Sequence, residues 1–407
     1  MDKIGIVGLG YVGLPLAIEF SQHYDVVGFD LNTQRIDDLK NNIDKTDTDS
    51  FRKKNLSNLY LTSNITDISS CNTYIVTVPT PVNDNKEPDL TLLKKACLDL
   101  SSLLKKGDTV VFESTVYPGA TEEECIPLLE ANSGLKASEE FFYGYSPERV
   151  NPGDNLHPLE NVQKIVSGCS EQSKEYINNL YSKIILAGTV LVSSIKVAEA
   201  AKVVENIQRD VNIALMNELK IVFEKMEIPP FDVFNAAATK WNFLQFTPGL
   251  VGGHCIGIDP YYLSWKSSQL GYLPSLISTA REVNEQMSEY YASAISEYFD
   301  QNPDRTTKVL ILGASFKENC SDMRNSKAIQ LINILKKRGI NSDVYDPIIS
   351  FNDLDFYGLK GITEVASFSD YGAVVINSLH DEITPLIDKI PQDFCIFDLK
   401  GKLSLYK

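Results

Sequence analysis

Along the first third of the chain, short apolar runs at residues 4–7, 26–29, 74–78, 110–112 and 142–145 alternate with longer stretches of helical periodicity. That alternation predicts strand-helix units feeding one parallel, doubly wound sheet. Runs at 164–167 and 189–192 extend the sheet. Ser193 and Ser194 then stand where a helix cap belongs, and the helical pattern continues to about Met226, where Pro229 and Pro230 stop it. A helix of roughly 30 residues exceeds the usual length, and such helices bridge domains or form oligomer interfaces. A second helical stretch covers roughly 274–300, followed by a linker at Asn302-Pro303-Asp304. From Lys308 the pattern restarts: a strand and turn at 309–314, an amphipathic helix at 326–338 closed by Gly339, and strands at 342–345, 373–376 and 394–397. The expected fold is α/β, with two Rossmann-like doubly wound domains joined by a long central helix. The expected boundaries are 1–192, 193–301 and 302–407.

Composition adds limits. With 407 residues, 43% hydrophobic and 23% charged, the chain has ample core for two or three domains. A net charge of -16 argues against broad binding to nucleic acid or to an anionic membrane, either of which needs a basic face. Seven cysteines are scattered singly at 71, 97, 125, 169, 255, 320 and 395, with no Cys-x-x-Cys pair, which suits a reducing cytoplasm. The expectation is neither signal peptide nor membrane span, since no apolar segment approaches ~20 residues. Four histidines without paired ligand spacing predict no metal site.

Gly8-Leu9-Gly10-Tyr11-Val12-Gly13 directly follows the first predicted strand and opens a helix with Pro15 near its start. The first two glycines allow a tight turn and close approach of a diphosphate to the helix N-terminus, and the third permits helix-strand packing. Asp30, ending the next strand, lies where a carboxylate accepts from the ribose hydroxyls of the adenosine half, which favours NAD over NADP. Arg35 could stack on adenine or accommodate a 2'-phosphate. Pro79, Thr80 and Thr115 follow strands at the edge where open sheets bind ligands, although ordinary turns use the same residue types.

Gly252-Gly253-His254-Cys255-Ile256-Gly257-Ile258-Asp259-Pro260 sets a thiol between flexible backbone and a carboxylate, so Cys255 is a candidate nucleophile. A hydride-accepting cofactor together with a thiol that captures an aldehyde suggests oxidation carried past the carbonyl to the acid. His254 is adjacent to the thiol, but neighbouring side chains in an extended loop diverge, which disfavours a Cys-His dyad. Lys202, Asn206 and Arg209 share one face of the long helix. A solvated face is the usual explanation of such a row, yet flanking Ala198, Ala200, Ala201, Val203 and Val204 suggest a buried polar strip. Glu148 and Arg149 follow another predicted strand, as functional groups or as a surface ion pair in a turn.

These motifs together resemble the nucleotide-sugar 6-dehydrogenase family, relatives of UDP-glucose dehydrogenase and GDP-mannose dehydrogenase, over essentially the whole chain. The resemblance rests on Gly8-x-Gly10-x-x-Gly13, Val78-Pro79-Thr80-Pro81, Ser114-Thr115-Val116, Ser146-Pro147-Glu148, Lys202 with Asn206, Gly252-Gly253-x-Cys255 with Asp259, and Phe316-Lys317 followed by Asp322-x-Arg324. Residues 146–154 and 253–263 look most like the branch acting on UDP-N-acetylglucosamine or UDP-N-acetylgalactosamine. The resemblance implies a four-electron oxidation of the sugar C6 alcohol to a carboxylate with two NAD in turn, through a thiohemiacetal and a thioester on Cys255. Lys202 and Asn206 would hold the oxyanion, Asp259 and Thr115 would order water, and Glu148 would be the base for thioester hydrolysis. Lys202 would be the cation that raises the thiolate fraction of Cys255. Gly8, Gly10, Tyr11, Val12, Gly13, Asp30, Arg35, Pro79, Thr80, Thr115 and Arg324 are the implied NAD contacts. Glu148, Arg149, Val150, Asn151, His157, Lys202, Asn206, Arg209, Gly252, Phe316 and Lys317 are the implied contacts to the nucleotide sugar, with the uridine diphosphate on the C-terminal domain. Where the glucose branch often has a lysine beside the catalytic aspartate, this chain has Ile258. The expected protein is a cytoplasmic homodimer making a uronic acid for capsule, O-antigen or another surface polysaccharide. UDP-glucose, UDP-N-acetylmannosamine and GDP-mannose remain rival substrates. Outside the family, the rivals are a two-electron 3-hydroxyacid dehydrogenase, which has no use for Cys255, and an NAD-sensing regulator, which has no use for Lys202, Glu148 or Cys255.

Overall fold

A computed structural model describes residues 2–44, 54–149 and 157–405. The chain divides into two compact units, Met1–Glu205 with Tyr261–Tyr272, and Asn206–Pro260 with Leu273–Lys407.

In the first unit the elements run β1 (Lys3–Val7), α1 (Gly13–Ser21), β2 (Asp25–Phe29), α2 (Thr33–Lys40), β3 (Leu59–Thr62), β4 (Thr73–Val76), α3 (Thr91–Ser101), β5 (Thr109–Phe112), α4 (Ile126–Ser133), β6 (Phe142–Tyr145), β7 (Lys164–Gly168), α5 (Glu171–Tyr181) and β8 (Thr189–Leu191). The strand order is β3-β2-β1-β4-β5-β6-β7-β8. Because β1 pairs with both β2 and β4, the chain winds outward in one direction, returns, and winds outward in the other. That reversal leaves a crevice beyond the carboxyl ends of β1 and β4, where doubly wound sheets receive ligands. Every pairing is parallel except β6 with β7, a direction that an apolar run does not encode. Ile4, Ile6, Leu14, Ala17, Ile18 and Phe20 pack α1 on β1 in the main core. The central strands β4 and β5 are buried along their whole length, as expected of strands covered on both faces.

The long helix α6 (Ile195–Lys225) has 31 residues. Ser194 Oγ accepts the Val197 N–H at 3.3 Å, a capping contact at the expected start. Pro230 opens α7 (Pro230–Ala238), and α8 (Asp259–Gln269) follows the glycine loop. In the second unit, α9 (Ser275–Gln301) is joined to α6 by polar side chains: Arg281 binds Asp210 at 2.5 Å, and Asn284 donates to the Asp210 carbonyl and carboxylate. Asn217 exchanges hydrogen bonds with the Gly249 backbone, fixing one end of the loop that carries the thiol. The C-terminal part is a four-stranded parallel sheet, β9 (Lys308–Leu312), β10 (Asn341–Tyr345), β11 (Ala373–Ile376) and β12 (Ile396–Asp398), in the order β10-β9-β11-β12, with α10 (Lys327–Lys337) as its first crossover. Val309, Ile311, Ala373 and Val375 face one apolar cluster, and Leu310, Leu312, Val374 and Ile376 face another. This period-2 alternation is that of a strand buried on both sides.

Candidate active site

The candidate residues fall into two groups, one on each unit. In the first, Gly8 has φ +97° and donates its N–H to the Phe29 carbonyl at 2.8 Å, turning the chain sharply out of β1. A Cβ at Gly13 would collide with the Gly8 carbonyl and the Thr77 hydroxyl, whereas one at Gly10 would meet nothing within 4 Å. Two glycines therefore serve packing, and the third leaves open space before the first turn of α1. This is the cradle that a diphosphate needs. Asp30 is already oriented: Oδ2 accepts the Leu9 N–H at 2.8 Å, and Oδ1 accepts the Asn32 N–H at 2.8 Å. Arg35 is held from the side by the Leu9 carbonyl at 3.0 Å and by Asp44 at 2.7 Å. Tyr11 is half-buried, and Val12 packs against the core beneath the turn. These groups fit an adenosine diphosphate: N–H donors for phosphate and a carboxylate for ribose.

At the neighbouring strand ends, Pro79 is exposed and Thr80 donates to the Thr115 carbonyl at 2.5 Å. Ser114 donates to the Val78 carbonyl at 2.6 Å, and Tyr262 Oη donates to the Thr80 carbonyl at 2.6 Å. Thr115 and Glu148 are half-buried. Lys202 is 6% exposed, and its ammonium lies 3.8 Å from Glu148. Arg149 pairs with Glu205 at 2.8 Å and donates to the Gln163 carbonyl at 3.0 Å. His157 is exposed, and Val150 and Asn151 lie outside the described residues.

In the second unit, Asn206, one turn beyond Lys202 on α6, is 1% exposed. Its Nδ2 donates to Asp259, and its Oδ1 accepts from Arg209 at 2.7 Å. The face carrying Lys202 and Asn206 is thus a buried polar strip rather than a solvated one. Cys255 lies half-buried in the turn entering α8, its carbonyl accepting the N–H groups of Ile258 and Asp259 at 3.0 and 2.9 Å. Glycine is required around it, since a Cβ at Gly252 would lie 2.5 Å from the Asn325 carbonyl and one at Gly253, where φ is +79°, 2.7 Å from the Phe316 ring. The His254 ring lies edge-on to Phe316, with Nε2 3.0 Å from Asp322 and 2.7 Å from Arg324. Burial and the Arg324 guanidinium hold its pKa below the ordinary value, against the pull of Asp322. Arg324 also grips Asp322 directly at 2.7 Å. Lys317 is half-buried, and its carbonyl accepts from Ser315 at 2.7 Å.

Three polar features escape a reading by motif. Glu113, just before Ser114 and Thr115, is buried with Lys164 and the Tyr181 hydroxyl on its carboxylate. Glu199 is buried against main-chain N–H groups. Tyr262 braces the Thr80 turn. Only Tyr262 left a usable signal, because it lies two positions past Pro260, which marks the start of α8. Among the described residues, no group of three or more His, Cys, Asp or Glu could hold a metal, and no helix is long and apolar enough to cross a membrane.

Comparison with known proteins gives a consistent picture. Three models of the UDP-glucose/GDP-mannose dehydrogenase family match in order: the NAD binding domain at residues 2–185, the central domain at 196–286 and the UDP binding domain at 310–404. The chain is 48% identical to UDP-N-acetyl-D-glucosamine 6-dehydrogenase of Pseudomonas aeruginosa, over 99% of this chain and 97% of that one. It is 49% identical to Protein CapL of Staphylococcus aureus, over 99% and 96%. Among solved structures, UDP-D-ManNAc dehydrogenase from Pyrococcus horikoshii superposes with a TM-score of 0.84 at 28% identity, covering 98% of this chain and 99% of that one.

Proposed function

Given that the chain belongs to the UDP-glucose/GDP-mannose dehydrogenase family and is an NAD-dependent nucleotide-sugar 6-dehydrogenase, we propose that its substrate is a UDP-N-acetylhexosamine, UDP-N-acetylglucosamine first and its galacto epimer second. The observation that carries the substrate is the near-full-length similarity to an enzyme named for UDP-N-acetyl-D-glucosamine.

In this reading the first unit takes NAD on the Gly8-Gly10-Gly13 turn and Asp30, with Tyr11, Val12, Arg35, Pro79 and Thr80 around it. Bound NAD supplies the hydride acceptor, one for each of the two oxidations. Thr115 and Asp259 order the water that takes the C6 hydroxyl proton, and Lys202 with Asn206 stabilises the oxyanion. Removing one such donor costs about 2.7–4 kcal/mol of barrier. The Cys255 sulfur bonds to C6 of the aldehyde to give a thiohemiacetal, which becomes a thioester after the second oxidation. Water activated by Glu148 then breaks the C–S bond, releasing the carboxylate and restoring the thiol. The balance is one alcohol, two NAD and one water giving one carboxylate, two NADH and three protons. Arg149, Val150, Asn151, His157, Arg209, Gly252, Phe316 and Lys317 are assigned to the nucleotide sugar and Arg324 to NAD. Arg149 would then exchange its Glu205 partner for the substrate.

The same reading makes the protein a cytoplasmic homodimer with three functional segments, 1–192, 193–301 and 302–407. What supports the dimer is a stripe of exposed apolar side chains on α6: Val197, Val204, Leu215, Val222 and Met226. At 3.6 residues per turn these positions return to one side of the helix, a face that a second copy would cover. Sedimentation should give a dimer mass, and a monomer at micromolar concentration removes this part.

For the chemistry, NADH release is measured with equal concentrations of UDP-N-acetylglucosamine, UDP-N-acetylgalactosamine, UDP-N-acetylmannosamine, UDP-glucose and GDP-mannose. The expected result is an acetamido sugar oxidised fastest with two NADH per sugar, and no acid formed by Cys255→Ser. A wide preference for UDP-glucose would overturn the substrate. One NADH per sugar would overturn the mechanism.

A further inference from the structure

Glu199 lies three residues before Lys202 on α6 and has no exposed surface. Its Oε2 accepts the Gly119 N–H at 2.5 Å, and its Oε1 accepts the Thr121 N–H at 2.9 Å. The segment it grips runs directly from Thr115. Val116, Tyr117, Gly119 and Ala120 in that segment are buried, and its other end is tied by the Thr80 hydroxyl on the Thr115 carbonyl. Gly119 has φ +102°, and a side chain there would come 2.6 Å from Glu123 Oε1, so this backbone presents its N–H to Glu199 in a conformation that only glycine adopts readily.

A carboxylate buried on two amide donors is a costly way to close a turn, because a neutral side chain of the same size would avoid moving a charge out of water. What the charge adds is strength and direction: hydrogen bonds to an ionised acceptor are shorter and roughly twice as strong as neutral ones. We propose that Glu199 is a positioning residue, which, by holding the Gly119 and Thr121 amides, sets the Thr115 turn against the helical turn presenting Lys202 and fixes the spacing between them. The inference rests on the reading that Thr115 and Lys202 serve the oxidation. Thr115 and Lys202 are far apart in sequence, and Glu199 ties the helical turn before Lys202 to the amides of Gly119 and Thr121 in the segment that follows Thr115.

The grip depends on charge state. Burial pushes the Glu199 carboxyl up to about 7, against the pull of the Gly119 and Thr121 donors, and the Glu122 carboxylate raises it further. Charged or titratable groups near the same turn include Lys196 and Glu123, whose side chains reach Gly119, and Cys125, which also feels Glu199, Glu124 and its partner Cys97 of α3. Above pH 7 both carboxylate oxygens accept. Below it one oxygen carries a proton and repels an N–H, and the turn loosens.

The test compares wild type, Glu199→Gln and Glu199→Asp between pH 6 and 9, with whichever nucleotide sugar the wild type oxidises fastest. Measurements are kcat, KM for each substrate, Tm, and hydrogen exchange of the 115–125 peptide corrected for intrinsic rate. Misplacing reacting groups by an ångström can cost about a hundredfold, and a loosened turn should cost roughly tenfold. The expected result is a kcat about tenfold lower in Glu199→Gln with KM values within about twofold. The wild type should lose kcat and 115–125 protection together as pH falls through about 7, a dependence that Glu199→Gln lacks and Glu199→Asp keeps. Equal kcat and equal 115–125 protection in wild type and Glu199→Gln at every pH would overturn the proposal. So would a kcat loss that tracks the fraction unfolded by Tm. Should Glu199→Gln not fold, the wild type and Glu199→Asp decide: protection of 115–125 that is flat from pH 6 to 9 in both overturns the idea. A wild type that oxidises no nucleotide sugar refutes the functional reading and leaves the exchange experiment to decide this one.

Discussion

The dinucleotide turn of the first unit and the thiol loop of the second are built on opposite plans. Around Gly8, Gly10 and Gly13, main-chain N–H groups supply the donors and most partners are near in sequence: Gly8 to the Phe29 carbonyl, Leu9 and Asn32 to the Asp30 carboxylate, with the Thr77 hydroxyl on the Gly8 carbonyl as the remote exception. Around Cys255 the supports are side chains remote in sequence: Asn206 on Asp259, Asn217 on Gly249, Asp322 and Arg324 on His254, Phe316 against Gly253. A local, backbone-built site depends on few side chains and shows as a motif. A site held by remote side chains depends on the whole unit being folded, so substitutions there register in stability before they register in binding.

The largest expected effect probes that dependence. Arg281→Met leaves the Asp210 carboxylate buried without its cation, and breaking a buried pair from one side costs about 3–5 kcal/mol. Burial already pushes Asp210 above the ordinary carboxylate range against the Arg281 cation, so the orphaned group will take up a proton. Chemical denaturation should show the loss, and an unchanged midpoint would erase the contrast between the regions. Next in size is Asp30→Asn, which keeps an oxygen for the Leu9 amide and removes the charge. Losing a charged acceptor for two ribose hydroxyls should remove about 1.5–3 kcal/mol, roughly ten- to a hundredfold in NAD affinity by calorimetry, with a Tm change much smaller than that of Arg281→Met. A large Tm shift with unaltered affinity would reverse the assignment. The smallest concerns acid. Burial works against the Glu318 carboxylate, yet Lys400 at 2.9 Å and Lys402 hold it down to about 2. A depressed carboxyl contributes stability that is complete above its ordinary value near 4.5 and is lost as pH falls toward 2. Lys400→Met should flatten that part of the urea-midpoint profile, by about 1 kcal/mol at most for a pair partly open to solvent.

Much of the architecture was legible because periodicity encodes burial. The strands at 4–7, 110–112 and 309–312 and the long helix follow from it directly. Strand β3 did not, since Leu59-Tyr60-Leu61-Thr62 is short and Tyr60 is exposed. Helix α8 was hidden by the glycines before it, although Asp259-Pro260 is a sound helix-start signal. The antiparallel β6–β7 pairing was invisible, because side-chain alternation is the same in either direction. At the candidate site, the Gly8 and Gly13 turn and the glycine loop around Cys255 could be read from local pattern. Glu199, Lys164 and Arg281 could not. Their partners lie 51–80 positions away, and a buried charge has no periodicity to announce it.

Asp30 bears on coenzyme engineering. Because the same carboxylate is turned toward Leu9 and Asn32, a switch to the 2'-phosphorylated coenzyme cannot simply exchange this residue for an apolar or cationic one. The replacement must still receive the Leu9 amide, which points to serine or asparagine at position 30 with the new positive charge introduced elsewhere.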